Sequence, residues 1–555
     1  MSGMHTTEIR GEETSDRDAS KTCKTCNIAP AAAAGTNRPD RPPPRPVIYV
    51  SPGEIPSIVA TAEVELARSR LCFQRGGVLV TVAADPATSE TSVKILLLSA
   101  LIRFLADIVV WQKYDKRSGG WEICDPPDRH CRILHDATEY RHMPVLHGIA
   151  RQPYLRPDGT LVTRAGYDEA TGIFGAFLES RYRIPSCPSR EDAKKALAGI
   201  DTLLSEFRFQ NTLDFAAAVC GILTATIRPT LPLAPMVHVG APEFGSGKTY
   251  LCELFLAFAT PQPTAPIAFP CSDDECRKIL LAELMSAAPA IFFDNITCDL
   301  LAHSSLCAAL TSRALSGRIL GLSKSSRPST QALFLYTGVN VSPVQDMIRR
   351  TMTIYLDPGG QQPETRAYQC DPVTEVRQNR EYWVATVLTI IRAWIVAGHP
   401  KTECPPVAGF SDWSDLCRQS LLWLGLPDPA ASMFSTTFDP DRVALLQVLV
   451  AWHNAFDEKP MLLRDVIAVT SRPGFKDLRE ALEDVAGERT TQINRRKFGW
   501  WLVRHEGRVL NGLRFRRCAN SRGAVAWNVQ QVSQVSPAPS AEFVTSLPRD
   551  TCETT

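Results

Sequence analysis

Residues 236–249 read Met-Val-His-Val-Gly-Ala-Pro-Glu-Phe-Gly-Ser-Gly-Lys-Thr, an apolar run that breaks into a glycine-containing loop and ends in Gly-Lys-Thr. Leu251, Leu254, Phe255 and Phe258 follow at helical spacing, so the stretch predicts strand, loop and helix in that order. A buried strand that feeds a helix through a tight loop calls for a sheet with helices packed on it, hence an α/β core. The backbone N–H groups of such a loop, at a helix N-terminus, form a cradle for a polyphosphate, with Gly245, Ser246 and Gly247 in its wall. Lys248 then reaches the β- and γ-phosphates, and the Thr249 hydroxyl stands where it can ligand Mg²⁺. One position departs from the pattern. Pro242 stands six residues before Lys248, where the motif has its first glycine. The plain alternative is a surface Gly-Ser-Gly turn followed by a solvated lysine.

Two later runs favour the phosphate site. Residues 288–293 (Ala-Pro-Ala-Ile-Phe-Phe) predict a buried strand that ends in Asp294-Asn295, with Asp294 46 residues after Lys248. A carboxylate there can hold the Mg²⁺ of a bound nucleotide. A third apolar run, 332–340, closes on Asn340 after another 46 residues, where a polar side chain can position an attacking water. Arg349-Arg350 comes next, before the alternating run 351–356, and an arginine there can project onto a neighbouring subunit's nucleotide. Its alternative is a solvated basic pair. Each strand taken alone is also compatible with an ordinary core strand ending in a polar turn.

In order, Gly245-Ser246-Gly247-Lys248-Thr249, Phe293-Asp294-Asn295, Arg318-Ile319-Leu320-Gly321, Thr337-Gly338-Val339-Asn340 and Arg349-Arg350 resemble the ATPase core of the AAA+ and superfamily-3 helicase group. More narrowly, the chain is similar to the helicase-like, often primase-associated P-loop proteins of phages, plasmids and integrated elements. The resemblance covers roughly residues 47–530. It includes Gln74-Arg75-Gly76-Gly77, Asp125-Pro126-Pro127, Arg156-Pro157-Asp158-Gly159, Gly166-Tyr167-Asp168 and Trp423-Leu424-Gly425-Leu426-Pro427-Asp428-Pro429, none with known chemistry. It implies an ATP- and Mg²⁺-dependent motor on DNA, assembled as a homo-oligomeric ring and working beside a primase or another replication protein. Many ATPases of this group carry a second acid after the Walker B aspartate; here that residue is Asn295. An amide takes no proton at neutral pH, although it can orient a water. Glu243, in the loop, is the nearby carboxylate and is not assigned that role.

Residues 316–330 predict a hairpin with a strand at 318–322, a polar turn, and a return along the strand that ends at Asn340. The resemblance implies that this hairpin grips one DNA strand in the ring's channel. Lys324 and Arg327 near the tip and Arg318 at the base would contact phosphates; the alternative is a solvated basic turn. The charge is sharper further on. Between Arg489 and Arg522 there are ten basic residues and one acid, Glu506, although the whole chain balances 60 Lys+Arg against 59 Asp+Glu. A helix over 494–506, with Phe498, Trp501 and Leu502 on its apolar stripe, precedes strand-like runs at 513–517 and 524–529. Helix then hairpin predicts a winged-helix-like module. Arg495, Arg496 and Lys497 would straddle a groove, and Arg514, Arg516, Arg517 and Arg522 would line the wing.

The expected architecture is therefore a multidomain α/β chain. Residues 1–46 and 533–555 form disordered tails, 47–185 an N-terminal α+β domain, and 186–360 the P-loop, AAA+-like core with its leading helices. A helical lid at 361–435 and the winged-helix-like module at 436–532 follow. Arg418, on the lid, either touches nucleotide or is solvated. Apolar content of 44% and charged content of 21% fit folded protein rather than disorder. The run 93–111 is interrupted by Lys94, Arg103 and Asp107, so it predicts a buried amphipathic helix and not a membrane span. The 17 cysteines are odd in number and lie in apolar segments, as free thiols in a reducing cytoplasm do. Cys23 and Cys26 form a lone pair, short of the four ligands of structural zinc. The N-terminal domain shows no Asp-x-Asp at a strand end, the pair that two-metal polymerase chemistry needs.

Overall fold

The computed structural model describes residues 45–86, 89–241, 245–296, 300, 302–319, 325–339, 341–357, 370–434, 440–472, 474–487, 493–507, 510, 512–519 and 525–531. Asn340, Lys324, Arg522 and Glu243 lie outside them, as do most of both tails. The chain is a multidomain α/β protein with parallel and antiparallel sheets.

The centre is a four-stranded sheet ordered Ala290–Ile296, Leu333–Val339, Met236–Ala241, Thr351–Tyr355, with every neighbouring pair parallel. Its strands are apolar on both faces because both are covered. Val237, Val239, Phe292, Leu335 and Ile354 point into one cluster with the helices Thr212–Ile227 and Lys248–Ala259. Met236, Ile291, Phe293, Phe334 and Tyr336 point into the other, with Asp273–Met285 and Ser304–Thr311. Parallel pairing sends all four strands' carboxyl ends to one edge, where open α/β sheets bind ligands. The predicted runs ending in the glycine loop and in Asp294 reach that edge, as does the run expected to close on Asn340, described as far as Val339.

The leading helices are Arg190–Leu204, opened by a Ser189/Asp192 capping box, and Thr212–Ile227, capped by Asn211. Between them, Phe209 bridges Leu356 at the end of the sheet's edge strand. The helix Arg380–Val396 shares the first cluster through Val384, Leu388 and Ile391, together with Ile200 and Leu204. The segment expected as a lid is thus built into the core's helical layer.

Two expectations need correction. The run 93–111 is not one helix. A strand ends at Ile95, the helix spans only Leu98–Ile108, and the β-branched Val109-Val110 turns into a strand, Val110–Asp115. Among the described residues no helix is long and apolar enough to cross a membrane. The hairpin after residue 316 also closes differently. Gly317–Arg318 pairs with Ser325–Ser326, and the strand Leu333–Val339 is already flanked on both sides within the central sheet, so it has no free edge for Arg318.

The N-terminal part sets three helices, Ile55–Ser69, Leu98–Ile108 and Asp128–His135, against one face of a sheet ordered Val47–Val50, Val110–Asp115, Gly120–Cys124. A second sheet, Phe73–Arg75, Val78–Ala84, Thr91–Ile95, packs Phe73, Val80 and Val93 against Met285 and Ala287 of the central part. The C-terminal part has its own core. Helices Pro440–Phe456, Leu463–Val469, Lys476–Ala486 and Arg495–His505 close with the hairpin Leu513–Ala519/Val525–Gln531 around Trp452, Phe498, Phe515 and Trp527.

Candidate functional site

At the sheet's carboxyl edge, Gly245 (φ +72°) and Gly247 (φ +85°) hold the left-handed backbone that lets the chain turn tightly into Lys248–Ala259. Lys248 is the first residue of that helix and is buried; Thr249 is exposed. The Thr249 hydroxyl donates to Asp294 Oδ1 at 2.9 Å. Asp294 reaches it because the strand Ala290–Ile296 bulges between Phe293 and Ile296. Asn295 sits in that bulge at φ +54°, a conformation Asn tolerates better than most residues. Its N–H donates to Thr337 Oγ1 at 2.9 Å, and the Thr337 hydroxyl donates to Asp294 Oδ1 at 2.5 Å. Gly338 keeps this packing possible, since a Cβ there would meet Val341 Cβ at 2.7 Å and the Ile296 carbonyl at 2.9 Å.

Two hydroxyls therefore converge on one carboxylate oxygen beside a buried lysine. Burial pushes the Lys248 ammonium below its ordinary pKa, while Asp294 pulls it back up. An added anion at the loop would favour the charged form further. Thr249 and Asp294 are hard oxygen donors of the kind that hold Mg²⁺, which keeps waters and phosphate oxygens for its other positions. In the sequence Thr337 belongs to the Thr337-Gly338-Val339-Asn340 motif but carries no role of its own, because a threonine inside an apolar strand reads as core.

Aromatic side chains border the loop. Phe207 Cε1 lies 4.0 Å from where a Cβ on Gly247 would be, and its ring centroid is 6.0 Å from that of Tyr250. The Tyr250 hydroxyl bonds Asp371, whose carboxylate also accepts from Thr374 N–H to cap the helix Pro372–Gln378. The helix Lys248–Ala259 and the segment after residue 369 are tied at that point.

The arginines sort themselves by burial. Arg349 and Arg350 lie on the 3₁₀ turn Gln345–Arg350, and both pair with Asp346. Arg350 also donates to the Asp346 carbonyl at 2.9 Å and is largely buried, so it holds its own turn together. Arg349 keeps its side chain 67% exposed, and it is the one of the two that a neighbouring molecule can reach. Arg418 is neither solvated nor exposed to a ligand. It is fully buried, gives Asp428 Oδ1 a bond of 2.7 Å from Nε, and donates to the Pro405 carbonyl at 2.7 Å. This explains the Pro427-Asp428-Pro429 run as the acceptor of a buried cation. Likewise Arg156 and Asp168 of the upstream motifs pair at 2.7 Å, and Arg75 donates to the Leu146, His147 and Leu284 carbonyls.

Arg318 and Arg327 are exposed at the base of the hairpin. Between them Ser326 is buried against Gly76, where a Cβ would come within 2.2 Å of Ser326 Oγ. In the C-terminal part Arg495, Arg496 and Lys497 form the exposed first turn of their helix, capped by Asn494 Oδ1. The macrodipole disfavours cations at that end, by about 0.3–1 kcal/mol each, so their presence serves something other than helix stability. Arg516 is exposed opposite Asn528, while Arg514 is half-buried beside Gln530. Arg517 pairs with Glu506 at 3.1 Å and lies 5.1 Å from the Trp527 ring centroid. Among the described residues no group of three or more His, Cys, Asp or Glu forms a metal cluster.

No protein-family model matches the chain, and no curated protein matches it. Among solved structures it is similar to the apo A form of the NrS-1 C-terminal region, at 10% identity and a TM-score of 0.34, over 85% of this chain and 98% of that one. A second structure of that region aligns at 11% identity and a TM-score of 0.32, over 81% of this chain and 96% of that one. Likeness at this level carries no argument about activity.

Proposed function

We propose that this chain is an ATP-dependent, helicase-like motor on DNA, acting in the replication of a mobile genetic element. The observation that carries the reading is the contact between Thr249 Oγ1 and Asp294 Oδ1, 2.9 Å apart where parallel strands end beside a left-handed glycine loop. In this reading Gly245, Ser246, Gly247, Lys248 and Thr249 bind the triphosphate, while Thr249 and Asp294 hold Mg²⁺. When bound, that ion neutralises charge developing on the transferred phosphoryl group. Asn295 and Asn340 orient the attacking water. The strand order supports this division of labour, since the strand bearing Thr337 lies between the loop strand and the Asp294 strand. Arg349 acts across a subunit boundary of a homo-oligomeric ring, with Arg350 bracing its turn. The AAA+-like core drives two basic surfaces, the hairpin at Arg318, Lys324 and Arg327 and the winged-helix-like module that carries Arg495, Arg496 and Lys497. The assignment to a mobile element rests on the sequence resemblance.

A second reading is favoured by Asn295. With a side-chain amide where a base is usual, ATP would serve as a conformational signal in a DNA-binding regulator. Steady-state ATP hydrolysis with and without single-stranded DNA, beside a strand-displacement assay, separates the two. The motor reading requires DNA-stimulated turnover and unwinding, both lost in Lys248→Ala while folding and DNA binding persist. ATP binding without turnover selects the switch. Normal turnover in Lys248→Ala removes this site from both.

A further inference from the structure

The helix Arg495–His505 carries two opposed stripes. Phe498, Leu502 and His505 are buried in or against the C-terminal core. On the other side Arg496, Lys497, Trp500, Val503 and Arg504 recur at three- and four-residue steps, and all are exposed. A solvent-facing stripe on such a helix is ordinarily polar along its length. Here its middle is an indole with 76% of its surface exposed, followed by Val503 at 54%. No carboxylate lies on this helix, and Arg516 is exposed on the strand that follows it. A partner must therefore be anionic and also offer a flat apolar face, and DNA offers both.

The kind of DNA follows from geometry. In an intact duplex each base face is covered by its neighbours, and only base edges open into the grooves. Along a duplex an indole finds no flat partner, and a single-stranded tail, whose bases are unpaired, offers one at every step. We propose that Trp500 stacks on an unpaired base, which makes the C-terminal module a reader of single-stranded tails and fork junctions, with Arg496 and Lys497 on the flanking phosphates. The proposal rests on the DNA-binding part of the function above and specifies the substrate of that surface.

The test compares the full-length protein with Trp500→Ala and Trp500→Phe, by fluorescence anisotropy on a labelled fork with single-stranded tails and on a blunt duplex of the same sequence. Wild type should prefer the fork. Trp500→Ala should lose roughly 10- to 100-fold on the fork, in line with stacking losses at other base platforms, and stay within about two-fold on the blunt duplex, where phosphate contacts dominate. Trp500→Phe should recover most of the loss, because a phenyl ring still stacks. Equal losses on both substrates would make Trp500 a general contact and overturn the inference, and unchanged fork affinity would assign the indole to a protein partner instead. Wild type that binds neither DNA would overturn the DNA-binding reading itself, a different failure from either of these.

Discussion

Thr249 and Thr337, from different elements, bring their hydroxyls to the same oxygen of Asp294, at 2.9 Å and 2.5 Å. Thr249 can exchange its hydrogen bond for a metal, whereas Thr337 also accepts from Asn295 N–H and so fixes the carboxylate and the bulge together. Thr337→Val should therefore cost about 1–3 kcal/mol of stability, because it strips a partner from a main-chain donor. It should also weaken Mg²⁺-dependent nucleotide binding about 10- to 100-fold, as loss of an orienting partner does at metal sites. Thr337→Ser should restore both. Thermal melting and calorimetric titration with a non-hydrolysable nucleotide check this, and unchanged affinity in the valine variant would detach Thr337 from the site.

Burial of His238 should make the acid limb of stability steep. It is fully buried in the central strand, stacked on Tyr336 with centroids 4.2 Å apart, and among the described residues neither ring nitrogen has a partner. Burial pushes its pKa from 6.5 down to about 3. Below pH 6.5 the unfolded chain takes up a proton that the folded strand refuses until about pH 3, so stability falls as pH drops through that window. By pH 5 the loss is about 2 kcal/mol. His238→Phe should flatten the melting profile between pH 6.5 and 5, and a profile as steep as wild type would refute the assignment.

The parts of the site that were legible in the sequence are those that local chemistry dictates. Gly245, Ser246, Gly247, Lys248 and Thr249 are contiguous, as a backbone cradle requires, and Asp294 follows a short apolar run, 288–293, of strand length. What stayed hidden depends on partners far along the chain. Thr337 looks like one more strand residue until the sheet places it between the loop strand and the acid strand. Arg350 and Arg349 are identical neighbours in sequence, and only the packing of their turn buries one and exposes the other. The hairpin departs from its expected pairing for a related reason. Periodicity finds strands but not which edges are already taken, and both edges of Leu333–Val339 are.

Arg418 shows that an arginine's place on a helix does not reveal its surroundings. With 0% of its side chain exposed and Asp428 as its ion-pair partner, it is a buried cation whose loss strands a carboxylate. Arg418→Met should destabilise the protein by about 3–5 kcal/mol, read as a lowered Tm, while leaving the KM for ATP unchanged in the folded fraction. A selective rise in KM without destabilisation would return Arg418 to the nucleotide site.

Gly76 links the N-terminal part to the basic hairpin. It sits at φ +56°, and a Cβ there would meet Ser326 Oγ at 2.2 Å and Arg327 N at 3.0 Å. Gly77, one residue on at φ +86°, would meet only the Ser325 carbonyl at 3.9 Å. Both Gly→Ala changes pay backbone strain, but only Gly76→Ala must displace Ser326 and Arg327. If the hairpin works as a DNA grip, Gly76→Ala should reduce DNA-stimulated ATP turnover several-fold and cost about 1–3 kcal/mol of stability. Basal turnover should survive, because the loop, Asp294 and Thr337 lie on other elements. Gly77→Ala should show the strain without the loss of stimulation. Equal behaviour of the two variants in the ATPase assay would mean that the Gly76–Ser326 contact supports folding and has no part in coupling the hairpin to the motor.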